Sequence, residues 1–209
     1  MFGVVDLGMF VTAGLILNIT PGADVLYITN RSVIQGSKAG MVAALGIGAG
    51  CVVHVLAAAF GLSMILVSSS LAFSVVKYLG AVYLLYLGIT TFLSLKQKEN
   101  EKPRPSSVLP LAKIFWQAAL INVLNPKVAL FFMALLPQFV SPAAESPALA
   151  FFFLGVLFNV NGTLVNILFA VFASTLALKI KAGSTLPRLL KSLVGTIFVA
   201  LGLRLALTP

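Results

Sequence analysis

Two short stretches carry the groups that could do chemistry. "NITPGADVLY" (18–27) and "NVLNPKVALF" (122–131) share an Asn, a polar residue before a Pro and a following apolar run, about 104 residues apart. Each interrupts a hydrophobic run otherwise fit to cross a membrane. Pro21 removes a backbone donor and clashes with the carbonyl one turn back, and Gly22 permits positive φ. Together they predict a break within one helix rather than a turn between two. Backbone groups left unpaired at membrane depth are tolerated only inside protein or beside a water-filled cavity. A half-helix that starts at such a break directs its N-terminal amides at an anion. The plainer alternative is a passive proline kink; Asp24 two residues after Gly22, and the echo Asn125-Pro126-Lys127, favour a site.

Asp24 is the residue on which that site turns. A carboxylate about 20 residues into a span is expensive and normally faces the bundle interior. It could bind an amino group, exchange a proton with it, or pair with Lys127; alternatively it sits near the cytoplasmic interface, a few residues before Arg31. Lys127 could be an intramembrane partner or carboxylate anchor, or it could snorkel to a headgroup. His54, the only histidine, lies deep in an apolar run. Its ordinary pKa suits proton coupling, though it could equally be a neutral hydrogen-bonding group between helices. Asn18 and Thr20 belong to the first motif, and Asn122 and Asn125 are expected to line the second break. Asn159, Asn161 and Asn166 add amides to one later run; Asn159 and Asn166 share a helical face, and interhelical hydrogen bonding is their expected role. "GIGAG" (46–50) looks like half of a dinucleotide fingerprint but lies in an apolar run without a preceding strand. Small residues that allow close helix contact are the better account.

The elements that must position these residues are helices in lipid. Hydrophobic residues make up 60% of the 209 residues and charged ones 9%, against about 25% charged in ordinary soluble domains. Apolar runs fall near 5–30, 40–67, 73–95, 113–140, 148–178 and 190–207, long enough for six spans of about 20 residues. The long polar connection is "KQKENEKPRPSSVLPLAK" (96–113). The formal charge of +9 is spread over alternate loops: Arg31 and Lys38, then Lys96, Lys98, Lys102, Arg104 and Lys113, then Lys179, Lys181, Arg188 and Lys191. That is the positive-inside pattern, so the basic balance points to topology and not to nucleic acid. It places the linker in the cytoplasm and both termini in the periplasm or outside.

The halves repeat. Besides the two Pro motifs, "KYLGAVYLLYLG" (77–88) matches "KSLVGTIFVALG" (191–202) at an offset of 114. Three spans per copy is an odd number, so the two copies insert in opposite senses, as in the inverted repeats of secondary transporters. The expected architecture is an all-α integral membrane protein. Its six transmembrane helices form two inverted three-helix repeats, residues 1–95 and 113–209, joined by a cytoplasmic linker at 96–112. The first helix of each repeat is broken at its Pro motif. The single Cys51 excludes an intramolecular disulfide and any multi-cysteine centre. No Ser/His/Asp set, metal-ligand cluster or phosphate loop is present, so neither an enzyme, a cofactor nor a bound metal is expected.

"NITPGADVLYITNRSVIQGSKAGMVAALGIGAG", "VHVLAAAFGL", "KYLGAVYLLYLGI", "INVLNPKVALFFMALLPQFV" and "GTIFVALGLRLAL" closely resemble the lysine exporter and homoserine/threonine exporter (LysE/RhtB) family, in order and over nearly the whole chain outside the linker. The resemblance implies an inner-membrane carrier that exports amino acids or their derivatives by proton antiport. Its site positions carry over to Pro21, Gly22 and Asp24, and to Asn125, Pro126 and Lys127. One departure is Ala23, where many members have a second proline, which should loosen the break slightly. The expected partners are an amino acid, protons and the bilayer; rows of Gly and Ala would permit a homodimer. A cation exporter or channel, or a non-transporting membrane scaffold packed solid between the two motifs, is the alternative reading.

Overall fold

A computed structural model describes residues 2–20, 22–62 and 108–176, with isolated helical positions between 75 and 89 and between 196 and 203. Pro21, most of the linker, and most of the third and sixth expected spans with their repeat segments lie outside the described residues.

Helix α1 (Leu7–Ile19) is followed after a short break by α2 (Ala23–Gln35). Next comes α3 (Ser37–Ala57), which continues as a π-helical turn, Ala58–Leu62. In the second half α4 (Leu111–Val123) is followed by α5 (Pro126–Leu135), its short 3-10 extension Leu136–Phe139, and the long α6 (Pro147–Leu176). Among the described residues Ser37–Leu62 and Pro147–Thr175 are each long and apolar enough to cross a membrane. The pairs α1/α2 and α4/α5 reach that length only together, bent by 52° and 46° at their breaks. Four of the expected spans therefore coincide with a helix or a helix pair, to within a few residues at each end.

Local chemistry sets the boundaries. Gly36 separates α2 from α3 at φ +83, a backbone conformation that side-chain-bearing residues rarely adopt, while its N–H donates to the Ser32 carbonyl at 3.0 Å. Pro126 occupies the first turn of α5, where a missing N–H costs nothing. Asn125 caps that helix, its Oδ1 accepting from the Lys127 N–H at 3.0 Å.

Two apolar cores hold the helices together. One is aromatic: Phe10 and Leu17 from α1, Phe131 and Phe132 from α5, and Phe151 and Phe158 from α6 are all buried, with Phe131 and Phe158 stacked at 4.7 Å. The other is built of small residues, Ala39, Ala43 and Ala44 of α3 against Ala118 of α4 and Ala170 of α6, with Ile28, Ile47 and Ile114 among them. Large apolar side chains point outward as well: Leu149, Phe152, Val156, Val160, Leu164, Leu168 and Phe172 form an exposed stripe along α6. Such a surface suits hydrocarbon and is rare in soluble proteins.

"GIGAG" serves close packing. A Cβ on Gly46 would collide with the Phe115 carbonyl oxygen, and one on Gly50 with the Ala119 carbonyl oxygen while lying 2.9 Å from the Asn122 Cβ. Gly48, between them, faces α6, where a Cβ would lie 2.8 Å from Thr163 Oγ1. The three glycines thus let α3 lie backbone to backbone on α4 and closely on α6.

The halves are also joined at opposite ends of the α1–α2 pair. Near the start of α1 the Val5 N–H donates to the Phe139 carbonyl at 2.9 Å and the Ser141 N–H to the Gly3 carbonyl at 2.8 Å. These flank an isolated antiparallel bridge between Val4 and Val140. At the end of α2 the Gln35 carboxamide donates to the Leu109 carbonyl at 2.9 Å and accepts from its N–H at 3.0 Å.

A Gly50→Val substitution must drive α3 and α4 apart. We expect it to destabilise the purified protein by about 1–3 kcal/mol, the usual range for overpacking, read as a lower thermal midpoint in detergent. Gly8→Ala, where nothing lies within 4 Å of the new Cβ, should not lower the midpoint.

Candidate functional site

The break between α1 and α2 leaves two helix ends facing each other, with opposite electrostatic character. The C-terminal end of α1 exposes carbonyl oxygens and carries partial negative charge; the N-terminal end of α2 exposes amides and carries partial positive charge. Each meets a side chain of the opposite sign. Lys127, in the first turn of α5, extends its ammonium to the α1 end, where Nζ donates to the Leu17 carbonyl at 2.7 Å and to the Thr20 carbonyl at 2.8 Å. Asp24 stands in the first turn of α2. Gly22 flanks the lysine stem: a Cβ there would lie 3.5 Å from both Cδ and Nζ of Lys127.

Asp24 and Lys127 do not form an ion pair. The carboxylate is held instead by the second motif's amide, Asn122 Nδ2 donating to Asp24 Oδ2 at 2.9 Å. Its other oxygen, Oδ1, is buried without a well-formed hydrogen bond, with the Asn125 amide close enough to act on the carboxylate. Likewise buried without one are Asn18 Nδ2, Asn122 Oδ1 and Asn125 Nδ2. Asn122 is 2% exposed and Asn125 5%. Buried polar atoms left unpaired in this number are costly, and they converge on one place.

That place is a pair of small cavities. One, about 20 Å³, is walled on its polar side by Asn18, Asp24, Asn122, Asn159, Thr163 and Asn166, and on its apolar side by Ile47, Cys51, Val128 and Phe158. The second, also about 20 Å³, lies among Leu17, Gly22, Asp24, Asn125, Lys127 and Asn166. Each can hold a water molecule and neither can hold an amino acid. The region between the two motifs is therefore polar and incompletely filled.

The expected site residues are distributed as follows. Asn18, Gly22, Asp24, Asn122, Asn125 and Lys127 all line one or both cavities. Thr20 contributes through its backbone: its carbonyl receives Lys127, while its hydroxyl donates back to the Ile16 carbonyl at 2.6 Å. Pro126 starts α5, the helix that carries Lys127. Pro21 lies outside the described residues. His54, 9% exposed, lines neither cavity; its Nε2 donates to the Asn122 carbonyl at 2.9 Å, tying α3 to the end of α4.

Some residues do other work than their types suggested. Asn159 bonds between helices as expected, donating to the Gly48 carbonyl at 3.1 Å. Asn166, seven residues on along the same face of α6, lines both cavities. Cys51, by type a small buried hydrophobe, forms part of one cavity wall. The seven-residue spacing of the two amides was the available signal for Asn166; for Cys51 there was none, because a thiol in an apolar run looks the same wherever it points.

The chain is 28% identical over 206 residues to a leucine efflux protein of Klebsiella pneumoniae, covering 98% of this chain and 96% of the relative. It is 26% identical over 205 residues to a leucine efflux protein of Salmonella choleraesuis, at 98% and 96% coverage, and 26% identical over 206 residues to one of an Enterobacter species, at 98% and 97%. No solved structure matches. The family described as LysE type translocator matches residues 15–208. That span takes in both motifs, both helix breaks and every cavity-lining residue, and the chain belongs to the LysE type translocator family.

Proposed function

We propose that this protein exports neutral amino acids or their derivatives from the cytoplasm as a secondary transporter of the inner membrane, with leucine the first candidate, by alternating access coupled to proton antiport. The observation that carries the reading is Asp24: a carboxylate at the positive end of a half-helix, with one oxygen fixed by Asn122 and the other unpaired beside a polar cavity. An intramembrane carboxylate with spare acceptor capacity can take either an ammonium group or a proton, and antiport requires that the two compete.

In this reading α1/α2 and α4/α5 are each one span broken at its Pro motif. The elements recur in the same order in the two halves, a helix, a break, a second helix and then a long helix, as expected of an inverted repeat. The substrate occupies the space between the breaks. Its ammonium goes to Asp24 and its carboxylate to the amides that open α2, while Lys127 keeps the carbonyl end of α1 capped. The apolar wall of Ile47, Cys51, Val128 and Phe158 receives an aliphatic side chain. The described conformation has no room for that substrate, so binding requires helices to separate, as alternating access demands. The sequences of the relatives named leucine efflux proteins align over nearly the whole chain, which supports leucine as the first substrate to try. The distribution of basic residues supports placing both termini outside the cytoplasm.

Efflux of labelled leucine from proteoliposomes, with and without an imposed pH gradient, tests the reading. Wild-type protein should accelerate efflux when protons run inward down the imposed gradient, and Asp24→Asn, inserted normally, should lose that acceleration; unchanged gradient-driven export by Asp24→Asn would sink the assignment. His54→Gln keeps a donor for the Asn122 carbonyl, so it should retain gradient-driven export. Loss of coupling in that variant alone would move the proton from Asp24 to His54.

A further inference from the structure

The site has a charge balance that the choice of leucine does not by itself require. Among the described residues that line the two cavities, Asp24 and Lys127 are the charged ones. With the carboxylate ionised, they sum to zero. The ionisable groups nearby, Arg31 and His54, line neither cavity. Arg31, two turns further along α2, contacts Gln35 and the face of Tyr27, and His54 bonds to the Asn122 carbonyl.

Lys127 is held in place. Its ammonium donates to two carbonyls at the end of α1, its stem passes Gly22 at contact distance, and its backbone N–H is taken by the Asn125 cap. Because two of its three donors go to neutral carbonyls, it balances Asp24 through space without occupying it. Asp24 Oδ1 and the deeply buried Asn122 Oδ1 both stay available to a donor.

We propose that Lys127 sets the charge class of the substrate. As the built-in cation of the site, it reserves the cavity for amino acids whose single ammonium and single carboxylate cancel, and it turns away those with a cationic side chain. A zwitterion enters a neutral site and leaves it neutral. Lysine or arginine would bring one further positive charge to a place where Asp24 is already engaged and Lys127 stands close by. A buried charge without a partner is strongly unfavourable, and a like charge beside it adds to the cost. If the reserved cation were lost, the extra ammonium of a basic amino acid would take over its role.

The proposal rests on the amino-acid efflux reading, and its test separates the two. Lys127→Gln removes the positive charge from α5, and Asn166→Asp adds a negative one from α6; each shifts the balance by one unit from a different helix. Efflux of labelled leucine and of labelled lysine is measured from proteoliposomes, after confirming that each variant elutes as wild type. Wild type should move leucine in clear preference to lysine. Both variants should gain lysine efflux, so that the leucine-to-lysine ratio falls by roughly tenfold or more, as one unit charge at short range in a protein interior predicts. Lys127→Arg, which keeps the charge, should keep the wild-type ratio whatever its rate. A gained substrate cannot arise from misfolding. The proposal is overturned if wild type moves lysine as well as leucine, if both variants keep the wild-type ratio, or if both lose leucine efflux without gaining lysine. A wild type that moves neither amino acid would overturn the efflux reading itself.

Discussion

The rest of the site depends on how the break after α1 is electrostatically closed. An interrupted helix in a low-dielectric interior leaves carbonyl dipoles on one side and amide dipoles on the other, and each must find a partner within the protein or its cavities. Here the carbonyl side is met by the ammonium of Lys127, at 2.7 and 2.8 Å, and the amide side has Asp24 in its first turn. The two charges are thereby parted and do not neutralise one another in a direct pair. Had they met, the break would be a closed ion pair with nothing left to offer. Kept apart, each stabilises a helix end and the carboxylate retains an unused oxygen.

This arrangement explains why the second motif contains what it does. Asn122 reaches across to Asp24, Asn125 fixes the first turn of α5, and Lys127 is delivered from that turn to the other half of the molecule. Three of six consecutive residues thus serve the first break or the helix that supplies it. Behind them, Gly46 and Gly50 bring α3 against α4 so closely that no side chain fits between, and His54 holds the Asn122 carbonyl from the same helix. Asn122 is consequently fixed at both its backbone and its amide, which a residue that orients a buried carboxylate needs.

Much of this could be read in the sequence, for identifiable reasons. A carboxylate, a lysine and a proline in apolar runs are conspicuous against lipid, so Asp24, Lys127 and the two motifs stood out, and the runs themselves set the helix limits to within a few residues. Which partner each charge would find was not legible. Lys127 binds backbone carbonyls, and every residue has one, so nothing in the side-chain pattern around Leu17 and Thr20 marks them as acceptors. Asn166 and Asn159 share a residue type and a helical face and both line the first cavity, yet Asn159 also bonds the Gly48 carbonyl while Asn166 reaches the second cavity; the side-chain pattern does not say which backbone group comes within reach. The glycine run shows the opposite case: small residues at a four-residue interval admit few physical uses in a membrane, and close packing proved to be theirs.

The joins between the two halves differ in kind. Around Val4 and Val140 the contact is main chain to main chain, and beside it Gly3, at φ +76, leaves no room for a side chain against Ala144. At Gln35 and Leu109 it depends on a single carboxamide that supplies both donor and acceptor. A molecule that rocks about its centre must release one seam while pivoting on the other. In the proposed export cycle the two seams would be chemically unequal latches: one rests on the single carboxamide at position 35, the other on main chain and on a glycine with no room for a side chain.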